Sequence, residues 1–300
     1  MRAKVDAAWA FRRYQEIRTR LPLAAFPPTS ETCADLGEIA ARFDVFIFDS
    51  FGVLNVGDTA IAGASARIAA LRDAGKRVIV LTNAASLPLS ANVGKYAAFG
   101  FDFTDGEIVS SRFVLAEGLA AFDAGMRWAV AAPDASMIGE LPCRTMPLDD
   151  AALAKADGFI LLSSSGWTEA RQQAIHDALR SRARPLLVGN PDLVAPRENG
   201  FTREPGSYAH ALEDALGISP AFFGKPYANA FEAAVARLGD DIARERILML
   251  GDTLHTDILG GAAAGMKTAL VTGHGVMRGM DVQACIAESG IVPDFIVPSI

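Results

Sequence analysis

The sequence predicts an α/β fold: a doubly wound parallel sheet interrupted by a second, inserted α/β stretch. Three observations carry this reading. Short apolar runs rich in β-branched and aromatic residues, such as Val45–Phe48, Arg77–Leu81 and Ile247–Leu250, read as strands buried on both faces. Stretches with apolar residues at helical spacing alternate with them. A polar residue closes each run (Asp49, Thr82, Asp252) at the carboxyl end of a strand, where open α/β sheets bind ligands.

Along the chain, Lys4 to Arg20 reads as a helix whose apolar residues scatter around the wheel, broken by Pro22, Pro27 and Pro28. Ser30 is a cap for a second helix over Glu31–Arg42. Residues 1–43 thus form a helical extension, packed outside the core or offered to a partner. After strand Val45–Phe48, the residues Ile61, Ala64, Ile68 and Leu71 mark a helix that Gly75 stops, and Arg77–Leu81 completes a right-handed βαβ unit. Residues 87–220 read as a separate cap with strands at Glu107–Val109, Trp128–Ala131, Phe159–Leu162 and Leu186–Val188. Its helices fall at Ser111–Ala124, Thr168–Arg180 and around Tyr208–Leu216. The core, begun over residues 44–86, resumes over 221–300 with a helix at Phe231–Leu238 and strands Ile247–Leu250, Lys267–Val271 and Phe295–Val297.

Bulk properties narrow the function. With 28 basic against 35 acidic residues, a net charge of −7 and no basic tract, the chain offers no nucleic-acid groove. No stretch approaches the roughly 20 apolar residues that span a bilayer. Cys33, Cys143 and Cys285 are too scattered for a zinc knuckle or a disulfide framework, so a reducing cytoplasm is expected. No strand leads into G-x-G-x-x-G, and the small-residue run at Gly260–Thr268 precedes a strand where a P-loop follows one.

What remains is a set of groups suited to phosphate. Two carboxylates at neighbouring strand ends, Asp49 and Asp252, suit Mg²⁺, which takes few carboxylates and completes its shell with water and phosphate oxygens. Thr82, Asn83 and Lys225 would hold phosphate oxygens and offset the charge.

The set resembles the haloacid-dehalogenase-like hydrolases, class IIA. Asp49-Ser50-Phe51-Gly52-Val53-Leu54 matches the first motif except at one position, Thr82-Asn83 the second, Lys225 in Gly-Lys-Pro the third, and Gly251-Asp252-Thr253-Leu254-His255-Thr256-Asp257 the fourth. Val188-Gly189-Asn190-Pro191-Asp192 and Pro205-Gly206-Ser207 look like cap landmarks of the branch that holds nucleotide, phosphoglycolate and pyridoxal-phosphate phosphatases. The resemblance implies a Rossmannoid core with a cap, and a phosphatase acting on a small phosphorylated metabolite. It implies Asp49 as nucleophile, forming an aspartyl-phosphate. It implies Mg²⁺ held by Asp49, Asp252, the Phe51 backbone carbonyl and Asp257, the last as ligand or as anchor for Lys225. Asn190 and Asp192 would face the substrate. A homo-oligomer through the cap or the extension is compatible with it.

The departure is Phe51. The family's phosphatases carry there an Asp that protonates the leaving group and then activates water, work worth roughly 10²–10⁴-fold. A slow or specialised hydrolase is expected, and the alternative is a protein that binds Mg²⁺ and a phosphorylated ligand without turnover. Asp58 and His255 are the nearest titratable substitutes in the sequence.

Overall fold

The computed structural model describes residues 5–239 and 242–300; Lys4, where the sequence starts its first helix, lies outside them. Helix α1 (Ala7–Glu16) is capped by Asp6, whose carboxylate accepts from Trp9 N at 2.8 Å. Strand β1 (Glu31–Thr32), β2 (Val45–Phe48), the small hairpin β3 (Asn55–Val56) and β4 (Thr59–Ala60), α2 (Ala64–Asp73) and β5 (Arg77–Thr82) follow. Next come α3 (Leu89–Ala98), β6 (Ile108–Ser110), α4 (Ser111–Gly118), β7 (Arg127–Ala131), β8 (Arg144–Pro147), α5 (Asp150–Lys155), β9 (Gly158–Leu161), α6 (Glu169–Ser181) and β10 (Leu186–Val188). A hairpin of β11 (Val194–Arg197) and β12 (Gly200–Arg203) leads to α7 (Pro205–Leu216), β13 (Ala221–Phe222), α8 (Ala228–Ala236), β14 (Ile247–Gly251), α9 (Leu259–Ala263), β15 (Lys267–Val271), α10 (Val282–Ser289) and β16 (Phe295–Val297).

The main sheet runs β1-β16-β15-β14-β2-β5-β6, parallel throughout. Its central strands are buried on both faces, which is why they read as unbroken apolar runs. A second parallel sheet, β13-β10-β9-β7-β8, carries the cap.

Three expectations are corrected. Glu31–Arg42 is no helix: Glu31 N donates to Asp294 O (2.9 Å) and Cys33 N to Ile296 O (3.0 Å), so the segment pairs with the open edge of β16 before two short 3₁₀ turns. An available sheet edge outbids a weak helical pattern that contains Thr32 and Gly37. Residues 87–220 do not all belong to the cap: β6 pairs with β5 in the main sheet, while β13, expected in the core, pairs with β10. An apolar run announces a strand but not its neighbour. The N-terminal extension is also not simply outside the core. Phe11, Tyr14, Ile17 and Leu21 pack with Leu254, Ile258 and Leu193, while Ala7 and Ala10 pack with Val194 and Val276. Arg13 and Arg20 pair with Asp214 of α7, and Arg203 of β12 lies over Trp9, 4.7 Å from the ring centroid. Helix α1 is wedged between core and cap, and its buried residues Ala7, Ala10, Phe11 and Tyr14 form one stripe at helical spacing, where the sequence reads as scattered around the wheel. That face is consumed within the chain.

Candidate active site

Register brings the ligand-bearing ends together. Strand β2 lies between β14 and β5, with Phe48 opposite both Leu250 and Val80, so Asp49, Asp252 and Thr82 emerge at one edge of the sheet. Lys225 reaches in from the loop before α8. Its Nζ stands 2.6 Å from Asp49 Oδ1 and 2.7 Å from Asp257 Oδ1, with its side chain 2% exposed. Asp49, Asp252 and Asp257 each place a carboxylate oxygen within 4.8 Å of the others.

These carboxylates are held by their own loops. Ser50 N donates to Asp49 Oδ1 at 2.6 Å. Thr253 Oγ1 donates to Asp252 Oδ1 at 2.9 Å, and Val276 N to Oδ2 at 2.6 Å. Gly52 and Gly275 take left-handed φ values of 86° and 69°, and a Cβ on either would sit 2.2 or 1.8 Å from Asp252 Oδ2. Only glycine lets both loops close on that carboxylate. Beneath them a buried chain locks the β2 loop: Tyr96 Oη donates to Ser50 Oγ (2.9 Å), Ser50 Oγ to Asn55 Oδ1 (2.7 Å), and Asn55 Nδ2 to Gly57 O (2.7 Å). Sequence reasoning named Ser50 only as part of the first motif and passed over Asn55 and Tyr96, which are ordinary residue types with no spacing signal.

Asn83 has a different part from the one expected. Its Nδ2 donates to Asp192 Oδ1 (2.8 Å) and Lys225 O (2.9 Å), and its Oδ1 accepts from Ser111 Oγ (2.9 Å) and Lys225 N (2.8 Å). With all of the amide's usual capacity engaged, the side chain positions Lys225 and is not a phosphate ligand. Thr82 Oγ1 accepts from Ala84 N at 3.2 Å, and its hydroxyl lies beside that of Tyr96. Asn190 donates one N–H to Glu204 Oε2 (3.2 Å) and accepts from Asp192 N (3.0 Å), so it orients the loop that presents Asp192 while still lining the pocket. The cap landmark Pro205-Gly206-Ser207 is the buried first turn of α7, packed so close that a Cβ on Gly206 would meet Pro191 O at 2.0 Å.

Negative charge is in excess. Burial raises Asp49 to about 6, against the pull of Lys225. Burial and the neighbouring Asp49 and Asp257 carry Asp252 well above the ordinary carboxylate range. Burial also raises Asp192 to about 8. Four carboxylates share one lysine, and Asp257 Oδ1, though beside Nζ, accepts no well-aligned hydrogen bond. An all-oxygen cluster with surplus charge and an unsatisfied buried oxygen fits a hard divalent cation such as Mg²⁺.

A pocket of about 530 Å³ opens between core and cap, lined by Phe51, Asp58, Lys95, Asn190, Asp192 and Arg197 among others. Asp49 is not part of that lining; Phe51, two residues on, is. Of the two substitutes for the missing acid, Asp58 faces the pocket. His255 does not: it is buried, stacked on Tyr14 with centroids 5.0 Å apart, and donates from Nε2 to Gln15 Oε1 at 2.7 Å. Burial lowers it to about 3, so at neutral pH the ring is uncharged and its one N–H is held by Gln15, which leaves it no acidic proton for a leaving group. Lys95, on α3, was not singled out by the sequence; burial lowers it to about 8.

The fold and this cluster define a class. Family models described as haloacid dehalogenase-like hydrolase and HAD-hydrolase-like match residues 46–137 and 222–300. Human glycerol-3-phosphate phosphatase is 32% identical over 292 residues, covering 87% of this chain and 90% of the relative. The chain therefore belongs to the haloacid-dehalogenase-like hydrolases, class IIA, and is a phosphatase-type hydrolase. A crystal structure described as a possible sugar phosphatase, from Cytophaga hutchinsonii, superposes with TM-score 0.80 at 28% identity, covering 90% of this chain and 98% of that one. The magnesium complex of glycerol phosphate phosphatase from Mycobacterium tuberculosis superposes with TM-score 0.69 at 26% identity, over 86% and 75% of the two chains. Among the described residues no helix is long and apolar enough to cross a membrane.

Proposed function

We propose that this chain is a Mg²⁺-dependent phosphomonoesterase that acts on a small phosphorylated metabolite through a phosphoaspartyl intermediate on Asp49. The observation that carries the reading is Lys225 pinned between Asp49 and Asp257, with Asp252 adjoining, at the carboxyl ends of β2 and β14. Asp49, Asp252, Asp257 and the Phe51 carbonyl would hold the ion. Mg²⁺ supplies neutralisation of the phosphate dianion and of the attacking carboxylate. Lys225 adds a fixed cation beside the reacting oxygen, and the Thr82 hydroxyl donates to a phosphate oxygen. An Asp49 carboxylate oxygen attacks phosphorus as the ester oxygen departs, taking a proton from solvent. Water then attacks phosphorus, releasing inorganic phosphate and restoring the carboxylate.

Phe51 has no proton to give or take, so leaving groups that need protonation react slowly. The relatives are named for substrates as unlike as glycerol phosphate and nitrophenyl phosphate, so they leave the alcohol portion open. The test is phosphate release from 4-nitrophenyl phosphate with and without Mg²⁺, with acid-quenched protein digested and analysed for a phosphorylated Asp49 peptide. Turnover that persists in Asp49→Asn defeats the nucleophile assignment. Mg²⁺-dependent binding with neither turnover nor a labelled peptide makes the chain a non-turnover ligand-binding protein.

A further inference from the structure

Two cations from different parts of the fold converge on the Phe51 ring. Lys95 Nζ, from α3 of the core, stands 4.3 Å from the ring centroid, and Arg197 Cζ, from the cap hairpin, stands 5.1 Å away. Both line the pocket. Among the described residues the Lys95 ammonium makes no hydrogen bond and no ion pair; its neighbours are rings, with Phe99 at 5.5 Å and Tyr96 at 5.7 Å. Arg197 is half answered. Its Nη2 meets Glu204 Oε1 at 3.1 Å and its Nε donates to Thr202 Oγ1 at 3.1 Å, while Nη1 takes no part. Asp58 faces Lys95 across the pocket but lies outside ion-pair distance, and its side chain is exposed to water.

An ammonium drawn into a pocket beside a second cation, with no anion in contact, is an incomplete arrangement. Aromatic faces attract it but leave its N–H donors unfilled. Phe51 is the piece that keeps it incomplete. A carboxylate at this position would stand between Lys95 and Arg197 and neutralise both. The phenyl ring supports the two cations and leaves their charge to whatever enters.

We propose that Lys95 and Arg197, supported by the Phe51 ring, form a subsite for a second acidic group, a carboxylate or phosphate, on the alcohol portion of the substrate. The proposal rests on the phosphatase reading above and narrows its substrate class from phosphomonoesters at large to acidic ones. It also accounts for the ring at Phe51, since a position that would serve acid–base work serves recognition instead. Contributions from both core and cap mean that an acidic ligand bridges the two, so the cap would close on such ligands in preference to neutral ones.

The experiment compares two phosphomonoesters of the same length, 3-phosphoglycerate and glycerol 3-phosphate, which differ in one carboxylate. The quantity read is the ratio of their kcat/KM values, in wild type and in Lys95→Met, Lys95→Arg and Arg197→Met. Wild type should favour the acid by about tenfold or more, as one charge-assisted hydrogen bond provides. Lys95→Met and Arg197→Met should collapse that ratio through KM, and Lys95→Arg should retain most of it. A wild-type ratio near one overturns the subsite while leaving the phosphatase reading intact. So does a Lys95→Met variant that loses both substrates equally, which would make Lys95 a structural residue. The phosphatase reading is judged separately by 4-nitrophenyl phosphate; if neither alkyl ester turns over, calorimetry of the same two compounds on the Mg²⁺-loaded protein judges the subsite alone. Tighter binding of the acid, lost in Lys95→Met, sustains it, and equal binding rejects it.

Discussion

Replacing Lys225 with Met isolates the charge balance at the centre of this site. Methionine keeps much of the lysine stem, so packing changes little and the loss is the ammonium. In its place Asp49, Asp252 and Asp257, with oxygens within 4.8 Å of one another, face each other without a cation. Removing one partner of a buried ion pair costs about 3–5 kcal/mol. Partial protonation of the carboxylates relieves some of this, so the expected loss in metal-free protein is near the lower end, about 3 kcal/mol. For a chain of 300 residues, with an unfolding entropy of about 2.1 cal/mol/K per residue, that is a drop in melting temperature of about 5 °C. Mg²⁺ should narrow the gap. A ligand at a hundred times its Kd stabilises by about 2.7 kcal/mol, and the variant, relieved of a competing cation, should bind the metal more tightly than wild type. The assay is thermal unfolding followed by near-UV circular dichroism, for both proteins, in EDTA and in saturating Mg²⁺. A variant as stable as wild type in EDTA refutes the charge-balance argument. A deficit that Mg²⁺ leaves unchanged refutes the cluster as its site.

Other perturbations probe separate parts of the structure. Asp252→Asn should weaken Mg²⁺ binding at least tenfold by calorimetry, since it removes charge from a carboxylate held in place by Thr253 and Val276. Phe51→Asp should raise turnover of 4-nitrophenyl phosphate by about tenfold or more, within the roughly 10²–10⁴ of acid–base catalysis, and lower any preference for acidic substrates. No gain there would direct attention to Asp58. Asp192, raised to about 8 in the folded protein, holds a proton that the unfolded chain has already released near pH 4, so its burial destabilises increasingly as pH rises from 4 to 8. Asp192→Asn should therefore raise the melting temperature of metal-free protein more at pH 8 than at pH 5, and an equal effect at both would show that the carboxyl is ordinarily ionised. Tyr14→Ala removes a ring stacked on His255 and the acceptor for Leu193 N; it should cost about 3–5 kcal/mol, as large core truncations do, and speed proteolysis of the cap hairpin.

Much of the core was legible in the amino-acid order. A strand buried on both faces tolerates apolar residues alone, and polar groups can appear only where it ends. Val45–Phe48 followed by Asp49, Arg77–Leu81 followed by Thr82, and Ile247–Leu250 followed by Gly251-Asp252 therefore announced both the parallel sheet and the edge where ligands are held. Lys225 was legible from its Gly-Lys-Pro setting, and Phe51 from a single break in an otherwise intact motif. Partner choice was not legible. Strand β6 joined the core sheet, β13 joined the cap, and Glu31–Thr32 took the edge of β16, because strand pairing depends on which edges lie open nearby and not on local composition. Helix α1 does carry one buried stripe, Ala7, Ala10, Phe11 and Tyr14, which Trp9 and the small alanines obscure when the wheel is read over the longer span Lys4–Arg20. Asn83 looked like a phosphate ligand until the folded chain supplied a partner for each of its usual hydrogen bonds. The meeting of Lys95 and Arg197 on Phe51 was also decided only by the tertiary structure: the two cations come from a core helix and a cap hairpin, and only the packing of one unit on the other sets them against the same ring.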